Sequence, residues 1–237
     1  MHCCSRRERS HDRNSCVRLL LLAALATPLF AQGLHFGLKA GVPATAYFET
    51  GQTGSLHGGS EYSAATRRYT VGASVEWRLT HTFGSELDTL YKRMGYVGIV
   101  TSFWNGILTT AAFDTKGASW DFPLLAKYRF GRVIRPYIAG GGVLRYIGPI
   151  RGRGELTVQD LVAQTTTRTP IDTTEPTDVR KRQYPGITAG AGIEFGLGRE
   201  RLLPEFRFTR WTANIAGPGA TLRFNPNQAE FFLGLLF

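Results

Sequence analysis

Seven segments of the chain alternate apolar and polar residues with a period of two. In the last of them, Phe231, Leu233, Leu235 and Phe237 share one face, because side chains of a β-strand point alternately to its two sides. The segments are 34–42, 69–79, 83–92, 120–130, 186–195, 204–208 and 229–237. An eighth segment, 136–145, is rich in glycine, and its pattern leaves its facing ambiguous. The alternation therefore predicts an all-β protein of eight strands.

The charged residues of the seven clear strands all lie on the face opposite the apolar row. They are Lys39, Glu76, Arg78, Glu86, Asp88, Lys92, Asp121, Lys127, Arg129, Glu194, Glu205, Arg207 and Glu230. Many other positions on this polar face are glycine, which suits a crowded interior better than a solvated exterior. The pattern favours a barrel with its apolar face toward lipid over a soluble barrel or sandwich with an apolar interior.

Long and short connections alternate along the chain. The long ones are 43–68, 93–119, 146–185 and 209–228, and the short ones are 80–82, 131–135 and 196–203. Long external loops and short periplasmic turns are typical of outer-membrane barrels. Aromatic residues near the strand ends fit the two interfacial belts, with Tyr69, Trp120 and Trp211 near the long connections. We expect an eight-stranded antiparallel up-and-down transmembrane β-barrel with both termini in the periplasm.

The first 31 residues have the pattern of a cleaved secretory signal peptide. Five arginines precede or begin a short apolar run that ends at Ala31, a small residue suited to cleavage. We therefore expect residues 32–237 to form the barrel domain. All three cysteines lie before residue 31, which excludes disulfides and cysteine metal sites from the barrel domain. The 23 basic and 16 acidic residues that remain give a net charge of +7, which points to anionic lipid headgroups, with no nucleic acid partner expected.

Four short segments carry a resemblance to a known family. They are Leu-Asp-Thr-Leu-Tyr-Lys-Arg-Met-Gly at 87–95, Phe-Pro-Leu-Leu-Ala-Lys-Tyr-Arg-Phe at 122–130, Arg-Pro-Tyr at 135–137 and Asn-Gln-Ala-Glu-Phe at 227–231. These segments resemble strand motifs of the porin-like, PorT-type outer-membrane β-barrel domain family. The resemblance covers nearly all of 33–237 except the long loops. It implies an eight-stranded outer-membrane barrel, and it implies no single activity and no catalytic motif.

The charges on the polar face predict a filled lumen. Seven acids face six bases, so the interior is nearly neutral, and eight strands leave a lumen just wide enough for side chains to fill. We expect Glu76 and Arg78 to pair with Glu86 and Asp88 across the hairpin. The protein would then act as a structural or interaction protein through its external loops. The alternative is a small passive porin for ions or small solutes.

Catalytic and cofactor chemistry finds little support in the sequence. After residue 31 the only histidines are His35, His57 and His81, and no Gly-x-Ser-x-Gly segment is present. His35 has lumenal parity, where it would meet Asp121 or a serine, but a lone histidine in a polar interior is usually only hydrogen-bonded. We expect no enzyme activity, no cofactor and no metal site.

Three further groups of residues have predicted roles at the surface. Phe231, Leu233, Leu235 and Phe237 form the expected C-terminal assembly signal for the barrel-assembly machinery. Basic clusters in the third long loop form either a solvated flexible loop or a rim that binds lipopolysaccharide phosphates or another polyanion; they are Arg151, Arg153, Arg180, Lys181 and Arg182. The second long loop is apolar, with Phe103, Trp104 and Ile107. It either extends the hairpin and packs on the first loop, or offers a docking surface to an envelope protein or a membrane.

Overall fold

The computed structural model describes residues 33–65, 69–131, 134–174, 182–212 and 223–237, and the regular structure in this part of the chain is all strand. The strands are β1 (Leu34–Pro43), β2 (Phe48–Glu49), β3 (Gly51–Ser55), β4 (Gly58–Ala64), β5 (Thr70–Arg78), β6 (Phe83–Trp104), β7 (Ile107–Arg129), β8 (Arg135–Asp160), β9 (Thr165–Thr174), β10 (Gln183–Leu197), β11 (Glu200–Trp211), β12 (Arg223–Phe224) and β13 (Asn227–Leu236). Within the described residues, no helix of a length and hydropathy that would cross a membrane is found.

Eight of these strands close into a barrel. Their order around the barrel is β1, β5, β6, β7, β8, β10, β11 and β13, and β13 pairs with β1 to close the ring. The pairing of the last strand continues to the end of the chain, where the Phe237 amide donates a hydrogen bond to the Phe36 carbonyl at 2.8 Å. The eight-stranded antiparallel barrel predicted from the sequence is confirmed.

The apolar row of each strand lies on the outside of the barrel, and the charged row lies inside. In β1, for example, Phe36 and Leu38 are 58% and 61% exposed, whereas Lys39, the next residue along the strand, is only 4% exposed. The facing of segment 136–145, which was ambiguous from the sequence, is assigned by the structure, because Tyr137 and Arg145 of β8 are buried in the interior. Gly141 lets β7 and β8 approach closely, since a β-carbon there would lie 1.9 Å from a carbonyl oxygen of β7.

Three of the predicted long loops consist largely of strand. This corrects the expectation for the first and third loops, whereas for the second it is the extended hairpin that the sequence left as one alternative. The first contains β2, β3 and β4, the second continues β6 and β7 as one hairpin, and the third contains the end of β8 and all of β9. The β6–β7 turn is Asn105-Gly106, with φ of 48° and 76°, the left-handed conformation that two-residue hairpin turns require. Strands β3, β4, β6, β7, β8 and β9 pair in that order beyond the barrel; we call this sheet the extension.

The two ends of the barrel differ in construction. At the short-turn end, the connections at 79–82, 130–134 and 198–199 join consecutive strands. At the extended end, the small β2–β12 sheet brings Tyr47, Phe48 and Phe224 into a buried apolar cluster with inward-facing residues of the barrel strands. These strand residues are Met94, Tyr96, Val143, Ile147, Ile150, Tyr184 and Trp211. The sequence pattern did not predict this apolar layer, which we call the aromatic cap.

Candidate functional site: the buried charge network

All thirteen charged residues predicted for the lumen lie on the inside of the barrel. Twelve of them are at most 5% exposed, and 15% of the Arg78 side chain is exposed. Neighbouring strands supply residues of opposite charge, so that the side chains form three groups along the barrel. The groups follow one another from the short-turn end to the aromatic cap.

The first group lies near the short-turn end. Arg78 donates through Nε to Glu76 Oε1 at 2.8 Å and through Nη2 to both carboxylate oxygens of Glu194, also at 2.8 Å. Arg129 donates to Glu194 at 2.9 Å and forms a second ion pair with Glu76. Two further guanidinium groups approach Glu194 at 3.8 and 3.7 Å, those of Arg135 and Arg201. Each carboxylate of this group therefore has more than one cationic partner.

The expected pairing of Arg78 with Glu86 and Asp88 is wrong. The register of β5 and β6 places Arg78 opposite Gly84, and it places Glu76 opposite Glu86. Two like charges directly opposite each other would destabilise the sheet. Lys127 of β7 resolves this conflict, because its ammonium group forms an ion pair with Glu86 and lies 3.5 Å from Glu76.

The second group occupies the middle of the barrel. Lys39 Nζ donates to Asp88 at 3.1 Å and to Glu205 at 3.4 Å, and it also forms an ion pair with Glu86. Arg207 contacts the same three carboxylates, with donor–acceptor distances of 2.7 Å to Glu205, 2.9 Å to Asp88 and 3.4 Å to Glu86. Two cations and three carboxylates thus share one buried cluster that connects β1, β6 and β11.

The third group lies below the aromatic cap. Arg145 makes a bidentate pair with Asp121, at 2.6 Å from Nε and 2.7 Å from Nη2, the geometry of the strongest charge-assisted hydrogen bonds. The same Nη2 donates to Gln228 at 2.9 Å. Lys92 lies 2.8 Å from Asp121 and forms an ion pair with Glu230. Because Asp121 pairs with both Arg145 and Lys92, and Lys92 also pairs with Glu230, these four residues form one connected network of ion pairs.

Arg145 is the lumenal residue that sequence reasoning missed. It ends the glycine-rich segment 136–145, whose facing the sequence leaves ambiguous, and it is 1% exposed inside the barrel. Its guanidinium carbon lies 4.5 Å from the ring centroid of Tyr47 and 3.9 Å from that of Trp211, within cation–π distance. Trp211 therefore belongs to the aromatic cap and not to an outer belt, which corrects its predicted position. Tyr137, Ala139 and Val143 lie an even number of residues from Arg145 and are buried on the same face of β8. The glycines between them hid this alternation in the sequence.

With Arg145 included, the network balances in charge, apart from the partly exposed Arg135 and Arg201 at the short-turn end. The seven predicted acids face seven bases, namely the six predicted ones and Arg145, and each has at least one partner of opposite charge. An unpaired buried charge would cost several kcal/mol per ion. The arrangement therefore supports a static, rigid polar interior.

The network offers no evident catalytic chemistry in the described part of the chain. His35 Nδ1 lies 3.3 Å from the Phe237 carbonyl oxygen, and Asp121 is occupied by Arg145 and Lys92. The contact of His35 with Asp121 that its parity allowed is therefore absent, and His35 is hydrogen-bonded to the backbone. Among the described residues, no group of three or more histidine, cysteine, aspartate or glutamate side chains is placed to hold a metal ion.

The residues of the predicted assembly signal lie on the outer face of β13 and at its end. Phe231, Leu233 and Phe237 are 58%, 51% and 54% exposed, and Leu235 between them is half-buried. Strand β13 pairs with β1 on one side and β11 on the other. The row is therefore available to lipid, and its role in assembly stays a prediction.

The predicted basic rim is only partly described. Arg151 Nη2 and Arg153 Nε lie 2.7 Å and 3.6 Å from a single carboxylate oxygen of Asp172 on β9. The Arg151 guanidinium holds the pKa of Asp172 below its usual value. Arg182 is exposed, whereas Arg180 and Lys181 lie outside the described residues. Binding of a polyanion at these residues stays a prediction.

The apolar second loop is part of the extension. Strand β4 pairs with β6 over residues 58–64 and 96–102, so the loop extends the hairpin and packs on the first loop. Phe103, Trp104 and Ile107 flank the hairpin turn and are 41%, 67% and 41% exposed. Their role as a docking surface stays a prediction.

Comparison with known proteins identifies the family. The sequence profile described as outer membrane protein beta-barrel domain matches residues 30–210, which is more than half of the chain. The chain belongs to this family. It is therefore an outer-membrane β-barrel protein. No curated protein sequence matches it.

Several solved structures of outer-membrane barrels are similar to this chain. Neisserial surface protein A is 14% identical, covering 86% of this chain and 96% of its own, with a TM-score of 0.38. OprG from Pseudomonas aeruginosa is 11% identical, with 86% and 92% covered and a TM-score of 0.45. Ail of Yersinia pestis, in complex with the heparin analogue sucrose octasulfate, is 9% identical, with 86% and 95% covered and a TM-score of 0.37. Likenesses at this level carry no argument about function.

Proposed function

We propose that this outer-membrane barrel has a filled, non-conducting lumen and acts as a structural or interaction protein through its extension. The observation that carries the proposal is the lumenal network of seven buried carboxylates, six buried cations and the partly buried Arg78, each of them ion-paired. An ion crossing the lumen would have to break several of these pairs. The aromatic cap adds a second barrier, because its side chains are buried directly above the third group.

The proposal includes an orientation. Short turns at one end and long hairpins at the other support placing both termini in the periplasm and the extension outside the cell, as in other barrels of this kind. Residues 1–31 would be removed as a signal peptide. The outward apolar row would contact outer-membrane lipid and lipopolysaccharide, and the C-terminal strand would be read by the barrel-assembly machinery. A PorT-type assignment within the family, and an envelope protein partner, are further parts of this proposal.

Single-channel recording tests the filled lumen. The full-length protein is reconstituted into planar lipid bilayers, with a general porin in the same bilayers as a positive control for insertion. We expect the porin to give steady ion steps and this protein to leave the baseline current unchanged, while gel mobility before and after heating shows that it is folded. Steady unitary steps from the folded protein would refute the proposal and favour the alternative, a small passive porin.

A further inference from the structure

Three hairpin turns meet at the far end of the extension. They lie at 56–57, 105–106 and 161–164. The Leu161 amide donates to the Gly106 carbonyl at 2.9 Å, and the Phe103 amide donates to the His57 carbonyl at 2.7 Å. The last turn is also braced internally, because Asp160 accepts hydrogen bonds from two of its backbone amides at 2.9 Å. The three turns therefore form one preorganised surface.

Large apolar side chains cover this surface and remain exposed. Their exposed fractions are 97% for Leu56, 41% for Phe103, 67% for Trp104, 41% for Ile107, 56% for Leu161 and 84% for Val162; we call these six residues the apolar tip. Turns that only reverse the chain in water are dominated by glycine, proline, asparagine, aspartate and serine. Leucine and valine have no conformational advantage at turn positions, so the exposure of Leu56, Leu161 and Val162 indicates a contact with something apolar.

Shape and charge indicate a lipid surface as the contact. The side chains are exposed to the surroundings, most of all Leu56 and Val162. A protein partner would need a matching pocket, whereas a bilayer adapts to a projecting tip. The segments 56–57, 103–107 and 161–164 contain no aspartate, glutamate, lysine or arginine. The adjacent carboxylate of Asp160 is engaged by two backbone amides of its own turn, so the tip has no cation with which to select an anionic partner. Tryptophan in particular favours the interface between headgroups and acyl chains.

The position of the tip excludes the bilayer that surrounds the barrel. Tyr91 and Trp120, whose ring centroids lie 5.1 Å apart, are partly exposed on the outer face of the barrel where the extension begins. From Tyr91 to Trp104 the strand β6 runs without interruption, and at about 3.3 Å per residue this length is about 40 Å. With the tilt of about 40° that strands of such barrels have, this length carries the tip about 30 Å beyond the aromatic pair along the barrel axis.

We propose that the apolar tip inserts into the interfacial region of a second, zwitterionic lipid bilayer facing the protein's own membrane. The inference rests on the proposed orientation of the barrel, with the extension outside the cell. It does not depend on whether the lumen conducts ions. A negative result in the vesicle experiment would therefore leave the filled lumen intact, and ion conductance would leave the inference about the tip intact.

Vesicle flotation tests this inference. The full-length protein is held in lipid nanodiscs and mixed with phosphatidylcholine vesicles at low and at high salt, and the bound fraction is measured after density centrifugation. The test variant is Trp104→Ser with Val162→Ser, which removes two of the most exposed tip side chains. The control variant is Val97→Ser with Ile99→Ser, which removes apolar side chains from the same hairpin below the tip, 39% and 49% exposed. Trp104→Phe with Val162 unchanged provides a conservative replacement.

We expect the wild type to float with the vesicles equally at both salt concentrations, since an uncharged contact is not screened. The Trp104→Ser, Val162→Ser variant should lose at least tenfold in vesicle affinity, the control variant should stay within about twofold, and Trp104→Phe should keep most of the binding. Absence of wild-type flotation would overturn the inference. Binding that disappears at high salt, or tip-dependent association of nanodiscs with one another without vesicles, would overturn it as well, because the partner would then be a charged surface or a second copy of the chain.

Discussion

Replacing Arg145 with alanine tests the energetic importance of the third charge group. The change removes the bidentate pair with Asp121, the hydrogen bond to Gln228 and both aromatic contacts. Asp121 then depends on Lys92 alone, which also serves Glu230. Removing one member of a buried pair typically costs ~3–5 kcal/mol, and we expect a loss of stability in this range.

Arg78→Ala is the matched control. It also removes a lumenal arginine that bridges two carboxylates, but its side chain is 15% exposed and its partners keep other cations. Glu76 retains Lys127 and Arg129, and Glu194 retains Arg129. Each of these carboxylates keeps at least two cations, because Arg135 and Arg201 also approach Glu194. We therefore expect a smaller loss of about 1 kcal/mol.

The free energy of unfolding is measured by urea titration of the protein in lipid vesicles, followed by circular dichroism so that the changed surroundings of Trp211 do not affect the signal. A second variant combines Arg145→Ala with Asp121→Asn, which removes the carboxylate that would otherwise share Lys92 with Glu230. This double variant should recover at least ~1 kcal/mol of the loss, since part of the cost is the buried charge that remains. Equal losses for Arg145→Ala and Arg78→Ala would refute the reasoning, as would stability unchanged in Arg145→Ala together with new ion conductance.

Three further predictions concern the barrel wall. Leu233→Arg on the lipid face should lower the free energy of unfolding by ~2–4 kcal/mol. Gly234→Ser on the lumenal face should cost less, because a β-carbon there meets ordinary contacts of 3.4 Å or more. Equal urea midpoints for the two variants would mean that the two faces of β13 are wrongly assigned. Gly141→Ala should abolish or strongly weaken folding, since its β-carbon would lie 1.9 Å from a backbone oxygen, and Gly142→Ala, with nothing within 4 Å, should fold normally; heat-modified gel mobility distinguishes the two. Phe237→Asp should reduce insertion into the outer membrane, and wild-type amounts of heat-resistant barrel in membrane fractions would contradict the assembly role.

The sequence was a good guide wherever one face of a strand meets lipid and the other meets a packed interior. In that environment a residue on the wrong face is costly, so alternation is strict and the inward position of residues such as Lys39 and Glu205 could be predicted. In the extension both faces of the sheet are largely exposed, and the contrast between faces is weak. Strands there are held by backbone hydrogen bonds, which leave no side-chain pattern, and they were therefore mistaken for loops.

The rule that odd-numbered and even-numbered residues of a strand face opposite sides also failed, at a β-bulge. Arg145, Arg151 and Arg153 all have odd numbers, yet the first is buried and the other two are exposed. The register of β7 against β8 shifts between Gly117 and Ser119, opposite the stretch of β8 that separates these arginines. A bulge inserts an extra residue and reverses the facing of all later positions. No count of residues along the sequence alone would have separated Arg145 from the two arginines of the extension.

The sequence by itself determined the number of barrel strands, the face that each of seven strands turns to lipid, and the near-neutral charge of the interior. These properties follow from the strict period of two that a membrane barrel imposes on every crossing. Only the tertiary structure decided which charges pair, because partners such as Arg78 and Glu194, or Arg145 and Asp121, come from strands far apart in the chain or depend on register. The same holds for the aromatic cap and the apolar tip, since each is assembled from turns or strand ends that meet only when the sheet closes and the hairpins pair.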